Sequence, residues 1–299
     1  MNLRQLRFFV AVAEELHFGR AADRLGMTQP PLSQAIIALE EELGVRLFAR
    51  TKRSVALTSV GEHWLPRVRA LIAEADDLPG YARQIARGEV GSLKLGFVTT
   101  ADYNVLPQLI SRYGAAYPDV KVSLREMTSD LQIEALLSGE INVGLIIPSA
   151  ETAHGSLAYR PLTREPLVAV IPESWVESGE LDCAPGGLRL ADLADKPLVI
   201  FPRRSAPAFH DLVTDYYARN GVALRIGQEA IQMQTIISLV SAGMGVSFAP
   251  LSLTNLGRAG VRYVPLADAA PELETGLTWR LDDSSPTLRR LVEIASVKH

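Results

Sequence analysis

The sequence has little of what metal centres and most catalytic sites are made from. A single cysteine, Cys183, stands among 299 residues, which excludes an internal disulfide and any thiolate cluster. It reads as a packing or loop residue rather than a nucleophile. The five histidines, His17, His63, His154, His210 and His299, are scattered along the chain. There is no HExxH spacing, no glycine-rich phosphate loop and no nucleophile elbow, so no catalytic residue, metal site or cofactor is expected. Long apolar runs are missing as well: polar residues interrupt each one before the roughly 18 residues that a membrane span requires. The opening Met1-Asn2-Leu3-Arg4-Gln5 has no apolar signal core. These absences lead to the expectation of a cytoplasmic protein with no membrane partner.

Net positive charge is lacking too, at −4, which looks wrong for a nucleic-acid binder. The mean conceals local order. Between Leu43 and Gly61 the charged residues are Arg46, Arg50, Lys52 and Arg53, with no acid among them. A basic tip on an acidic chain is an electrostatic footprint for phosphate. A composition 47% hydrophobic and 21% charged fits a globular protein folded nearly throughout, and the length predicts two or three domains.

Leu3, Leu6, Val10 and Ala13 recur at helical spacing behind Asn2, a candidate N-cap, and predict a first helix to about Glu15. A short second helix carries Ala21, Ala22 and Leu25 and stops at Gly26. Thr28 offers the next cap, and Pro30 and Pro31 suit the first turn of a third helix. Two helices joined by a tight glycine-containing turn make a helix-turn-helix. At about 100° per residue, Leu32, Ala35, Ile36, Leu39 and Leu43 fall on one buried face. Pro30, Gln34, Ile37 and Glu41 lie opposite, with Ser33 at the edge. The N-terminal end of such an exposed face is what approaches base edges, which singles out Thr28, Gln29, Pro30, Ser33 and Gln34. Glutamine can read adenine through paired hydrogen bonds, so Gln34 is the candidate base reader. Glu40, Glu41 and Glu42 sit at the far end, where repulsion from DNA is weaker. A helical pattern alone leaves a small bundle with a solvated face equally open. The hairpin expected over Val45 to Thr58 tips the balance, because Arg50, Lys52 and Arg53 fall where a wing reaches phosphate.

The runs Leu6-Arg7-Phe8-Phe9-Val10-Ala11-Val12-Ala13-Glu14, Phe18-Gly19-Arg20-Ala21-Ala22, Thr28-Gln29-Pro30-Pro31-Leu32-Ser33, Leu39-Glu40-Glu41-Glu42-Leu43-Gly44-Val45-Arg46-Leu47-Phe48-Ala49-Arg50 and Leu57-Thr58 follow at linked spacing. Together they resemble the DNA-binding domain of LysR-type transcriptional regulators, and the likeness extends more loosely along the rest of the chain. The resemblance implies a regulator that binds double-stranded DNA and a small-molecule effector. It also implies self-association as a dimer and then a tetramer, and RNA polymerase as a further partner. Gln34 stands where relatives often carry arginine or another polar residue, which leaves the target sequence open.

Ser59, followed three residues later by Glu62, offers a capping box for a long helix. Along it Trp64, Val68, Leu71, Ala75, Leu78, Ala82 and Ile85 alternate four and three apart, a heptad seam suited to a second copy. Packing of this face on its own domain is the alternative. Pro66 and Pro79-Gly80 leave open a bend at either place or an end at the second. Gly88 and Gly91 mark a hinge.

Beyond it strands and helices alternate: a strand over 93–98, a helix over 104–117, a strand over 120–127, a helix over 131–137 and a strand over 143–147, making a doubly wound lobe. A second series runs from Leu167 to Pro250, and the chain returns through Leu277 to Arg280 and a helix from Pro286. The expected fold is thus α/β with an N-terminal all-α winged helix-turn-helix and a two-lobed effector domain, which the resemblance likens to periplasmic solute-binding proteins. The expected domains are a DNA-binding domain over 1–58, a linker helix over 59–88 and an effector domain over 89–299. Within the last, lobe I takes about 91–161 and 267–299, and lobe II about 162–266.

Ligands of open α/β sheets bind beyond the carboxyl ends of the strands, where helix N-termini favour anions. Thr99 and Thr100, Thr128 and Ser129, Pro202, Arg203, Arg204 and Ser205, and the helix start near Gln232 meet that description. Each hydroxyl alone could be an ordinary helix cap; their convergence across two lobes favours a site. The resemblance implies that Thr100, Ser129 and Pro202 are effector-pocket positions. Ile147 stands where some carboxylate-sensing relatives carry arginine, so a small organic or aromatic acid would depend on Arg203 or Arg204, and an uncharged ligand stays open. An enzyme and a solute-binding transport receptor are the rival functions. The first lacks motifs, and the second leaves the DNA module unexplained.

Overall fold

The computed structural model describes residues 1–51, 54–183 and 186–296. The chain divides into two compact units, Met1–Gln84 and Ile85–His299.

The first unit begins with α1 (Leu3–Glu15), α2 (Phe18–Arg24) and α3 (Gln29–Leu43), followed by β1 (Phe48–Arg50), β2 (Val55–Leu57) and the long α4 (Ser59–Arg87), which belongs to it as far as Gln84. Asn2 caps α1 in a reciprocal box with Gln5. Gly26, at φ +67°, makes the turn between α2 and α3, a conformation that costs glycine little. Leu6, Phe9 and Val12 of α1, Ala21 and Ala22 of α2, and Leu32, Ile36 and Leu39 of α3 close one core with Phe48 and Val68. The helical stripe on α3 was therefore legible, with Ala35 and Leu43 at its half-buried margins. Glu40 departs from it. Placed by its sequence position only at the end away from DNA, it is 3% exposed. β1 and β2 pair antiparallel, Phe48 opposite Leu57 and Arg50 opposite Val55. Lys52 and Arg53, at the expected tip, lie outside the described residues.

α4 runs unbroken through Pro66 and Pro79. Both prolines are exposed, so carbonyls that lose a helical donor can turn to water. Its cap is Thr58 rather than Ser59: the Thr58 hydroxyl accepts from Gly61 N at 3.1 Å. Trp64, Val68 and Ile72 pack on the helix-turn-helix core, while Leu71, Leu78, Tyr81 and Ile85 are 46–63% exposed. The heptad seam thus divides into a first part that serves its own domain and a remainder left uncovered.

The second unit opens with β3 (Val90–Phe97), α5 (Val105–Ala116), β4 (Asp119–Glu126), α6 (Ser129–Leu137) and β5 (Val143–Ile146). There follow β6 (Leu157–Pro172), α7 (Glu173–Glu177), β7 (Leu198–Ile200), α8 (Pro207–Arg219), β8 (Ile226–Glu229) and α9 (Met233–Ser241). β9 (Ser247–Pro250), β10 (Val261–Val264), β11 (Glu272–Arg280) and α10 (Pro286–Ser296) complete it. β3 lies parallel to both β4 and β5, and β11 joins β5 antiparallel. The 16-residue β6 is shared. Its first part pairs with β11, and its last six residues, Leu167 to Pro172, pair with β9 and β10 instead. One continuous strand therefore leaves lobe I and enters lobe II, and β11 brings the chain back. At the start of the unit Gly88 takes φ +72°, where a Cβ would lie 2.6 Å from the backbone carbonyl of Pro286; only glycine fits.

Candidate functional site

At the start of α3, Thr28 is the N-cap residue but its side chain makes no cap bond. The reason is in the sequence. A cap accepts from the second or third helical N–H, and here those positions are Pro30 and Pro31, which have none. The threonine hydroxyl is left for another partner. Thr28, Gln29, Pro30 and Gln34 are exposed and Ser33 is half-buried, so the sequence-predicted reading residues share one accessible end of the helix.

Behind them Glu40 ties α3 to the hairpin. Its Oε1 accepts from Leu47 N at 2.8 Å and Phe48 N at 3.0 Å, and its Oε2 meets Arg46 at 3.2 Å and Arg50 at 3.3 Å. Arg50 also stacks over Phe18, 4.6 Å from the ring centroid. Its side chain is 28% exposed against 73% for Arg46, so part of its charge is already spent within the protein. Sequence reasoning placed Arg50 on phosphate and missed Glu40, because a carboxylate one residue after Leu39 carries no mark of burial.

In the second unit a cavity of about 360 Å³ opens beyond the carboxyl ends of β3, β4, β5 and β7. Thr99, Thr100, Thr128, Ser129 and Ser205 line it, together with Gln232. The Ser129 hydroxyl accepts from Ile147 N at 3.2 Å. The Thr100 hydroxyl is buried and has no hydrogen-bond partner among the described residues. Three helices begin at the wall: α6 after Thr128, α8 after Ala206 and α9 after Gln232. None of these N-cap side chains bonds to its helix's first turn. Unfilled first-turn N–H groups and the helix dipole favour an anion. Val98, Met127, Phe201, Phe209 and Ile231 supply apolar walls.

Three predicted residues, Pro202, Arg203 and Arg204, are not brought to this cavity, and Arg204 is exposed. Pro202 is buried beneath the loop, where its carbonyl accepts from Ser205 N at 2.9 Å. Arg203 turns away to Asp211, with which it makes two hydrogen bonds of 2.8 Å. Its guanidinium holds the Asp211 carboxyl below the usual carboxylate range, against a smaller opposing effect of burial. Arg203 follows a strand, but an acid about one turn into the following helix holds it. Missed by the sequence reading was Gln132, which is fully buried and donates from Nε2 to the carbonyls of Met127 and Leu145 at 2.9 and 3.1 Å. It ties the ends of β4 and β5 together behind the cavity. Among the described residues no His/Cys/Asp/Glu group could hold a metal ion, and no helix is long and apolar enough to cross a membrane.

A helix-turn-helix with a β wing, in one chain with a two-lobed α/β unit that carries such a cavity, defines a DNA-binding regulator with a small-molecule domain. Residues 3–62 match the description "Bacterial regulatory helix-turn-helix protein, lysR family", and residues 86–296 match "LysR substrate binding domain". The chain belongs to the LysR family of transcriptional regulators, and its class is that of a regulator and not an enzyme. It is 57% identical to the HTH-type transcriptional regulator IlvR of Caulobacter vibrioides, over 99% of this chain and 98% of that protein. To AlsR of Bacillus subtilis it is 37% identical, over 99% and 96%. Among solved structures, the LysR family regulator CbnR is 31% identical with a TM-score of 0.81, covering 99% of this chain and all of that one. Full-length CbnR complexed with its target DNA superposes at 0.83, with 30% identity over 99% and 98%.

Proposed function

We propose that this regulator reads its operator with Thr28, Gln29, Pro30, Ser33 and Gln34, grips adjacent phosphates with Arg50, Lys52 and Arg53, and answers to a small carboxylate bound in the cavity of the second unit. Working on DNA places it in the cytoplasm. Its exposed α4 row pairs it with a second copy, and two such dimers make the tetramer. The carboxylate is held by backbone N–H groups at the starts of α6, α8 and α9 and by the hydroxyls of Thr100, Ser129 and Ser205; Thr99 and Thr128 shape the wall.

One observation carries the effector reading. A buried hydroxyl without a partner costs about 1–3 kcal/mol, and Thr100 places such a hydroxyl on the wall of the cavity. A ligand oxygen there would satisfy it. Arg203 and Pro202 act at one remove, by shaping the loop before α8. The test is a thermal-shift screen of small carboxylates on the full chain, followed by operator binding with and without each hit. Thr100→Val keeps the side-chain shape and removes the hydroxyl, so it should abolish the response and leave ligand-free DNA binding intact. A hit that stabilises both proteins equally would place the effector elsewhere. In the reading head, Gln34→Ala should weaken operator binding by on the order of 1–3 kcal/mol and random-DNA binding by less.

A further inference from the structure

Among the described residues the cavity is lined by one charged side chain, and its sign is opposite to what a site for anions would recruit. Glu126, the last residue of β4, is that residue, and no lysine, arginine or histidine among the described residues joins it on the wall. Of the neighbouring cations, Arg125 pairs with Glu140 and Arg203 with Asp211, and the exposed Arg204 is not on the wall. What Glu126 has is a hydrogen bond from the Thr99 hydroxyl, 2.5 Å from its Oε1. The same wall carries the starts of α6, α8 and α9, the positive ends of three helices, and the unpartnered Thr100 hydroxyl.

We infer that Glu126 sets the charge pattern of the effector, and that the cavity accepts a zwitterion whose carboxylate meets the helix starts, whose ammonium meets Glu126 and whose remainder is apolar. The inference rests on the reading of this cavity as the effector site and adds the second charge. A plain carboxylate leaves Glu126 without a counter-ion as the cavity loses water, and a dicarboxylate brings a like charge toward it. An α-amino acid meets both signs, and Met127, Phe201, Phe209 and Ile231 offer its side chain an apolar surround. Because Glu126 belongs to lobe I and α8 and α9 to lobe II, such a ligand touches both lobes with opposite charges. It would thereby favour one lobe arrangement over others, which is what a regulator needs of its ligand.

The experiment is calorimetry on the full chain with three matched pairs of probes: glycine and acetate, L-valine and isovalerate, L-phenylalanine and 3-phenylpropanoate. Within a pair the ammonium group is the main difference. The expected result is a preference for the amino acid of at least one pair by about tenfold, the worth of one hydrogen bond to a charged group. Glu126→Gln should remove that preference and leave the carboxylate's own affinity unchanged or improved. Binding that depends on Thr100 but shows no preference, or a preference that survives Glu126→Gln, overturns the charge inference alone. Binding that Thr100→Val leaves untouched overturns the effector reading of the cavity itself. Heat from none of the six probes overturns the inference as well.

Discussion

Replacing Glu40 by alanine should make the DNA-binding unit much easier to unfold. The carboxylate is 2% exposed on its side chain and closes two backbone N–H groups, those of Leu47 and Phe48, at the point where the chain leaves α3 for the wing. Its two arginine partners contribute less, since both guanidinium groups reach solvent and partly exposed pairs are worth little. The main loss is two buried donors left without an acceptor. At about 1.5–3 kcal/mol for each hydrogen bond to a charged group, the cost is roughly 3–6 kcal/mol. For a unit spanning Met1–Gln84, that should lower the midpoint by more than about 10 °C, from the usual 4–8 °C per kcal/mol at this size. Glu40→Gln keeps one acceptor oxygen in place and should cost about 1–2 kcal/mol. Trp64 reports the transition selectively: it packs 4.9 Å from Phe9 in this core, and the other two tryptophans, Trp175 and Trp279, lie in the second unit. Urea unfolding followed by its fluorescence, with the other two replaced by phenylalanine, measures the difference. An alanine variant within about 1 kcal/mol of the parent at an unchanged m-value would refute the reasoning.

Leu71→Asp with Leu78→Asp should separate the paired copies, because it sets charge into the uncovered apolar row of α4; sedimentation of the full chain reads the result, and an intact dimer would sink the seam. Gln132→Leu should destabilise the second unit by about 1–3 kcal/mol, since Met127 O loses its side-chain donor while Leu145 O keeps Val98 N; a calorimetric midpoint unchanged from the parent would contradict it. Glu14 gives a pH dependence. Its hydrogen bond from Arg24 holds its carboxyl below the ordinary glutamate range, with burial opposing and Arg69 of α4 adding to the effect. The folded state therefore binds this proton less readily than the unfolded chain. The stabilisation is complete above the ordinary glutamate range and is lost as pH falls through it to the lowered value. Glu14→Gln should flatten that part of the acid-unfolding curve, and an unaltered curve would remove the assignment.

Elements whose residues carry one periodicity over their whole length were legible without coordinates. The α3 stripe is such a case, and so is β5, buried at every position from Val143 to Ile146. What escaped did so for local reasons. β8 is exposed at all four positions, so it offers no alternation to read. The first part of β6 is interrupted by Arg160, Arg164 and Glu165, and only its apolar end from Leu167 looked like a strand. Prolines inside α4 suggested a break that an exposed helix face can avoid. At the cavity of the second unit the hydroxyl positions followed from strand ends, which topology dictates. The partners of charged groups did not, because Arg203 with Asp211 and Glu40 with the amides after Gly44 are pairings made by the folded chain and not by spacing.

The course of β6 makes lobe II a cassette. Everything between Pro172 and Val261 is contiguous in sequence, and it is attached through strands that lie side by side, with Val261 opposite Pro172 in register. Recombination between two relatives at those two facing points would exchange the whole α8 and α9 wall of the cavity while leaving the β3, β4 and β5 wall in place. Such half-and-half receptors would need only two crossovers, each inside a β-ladder whose register is already fixed. The fold thus lets one wall of the cavity be inherited separately from the other.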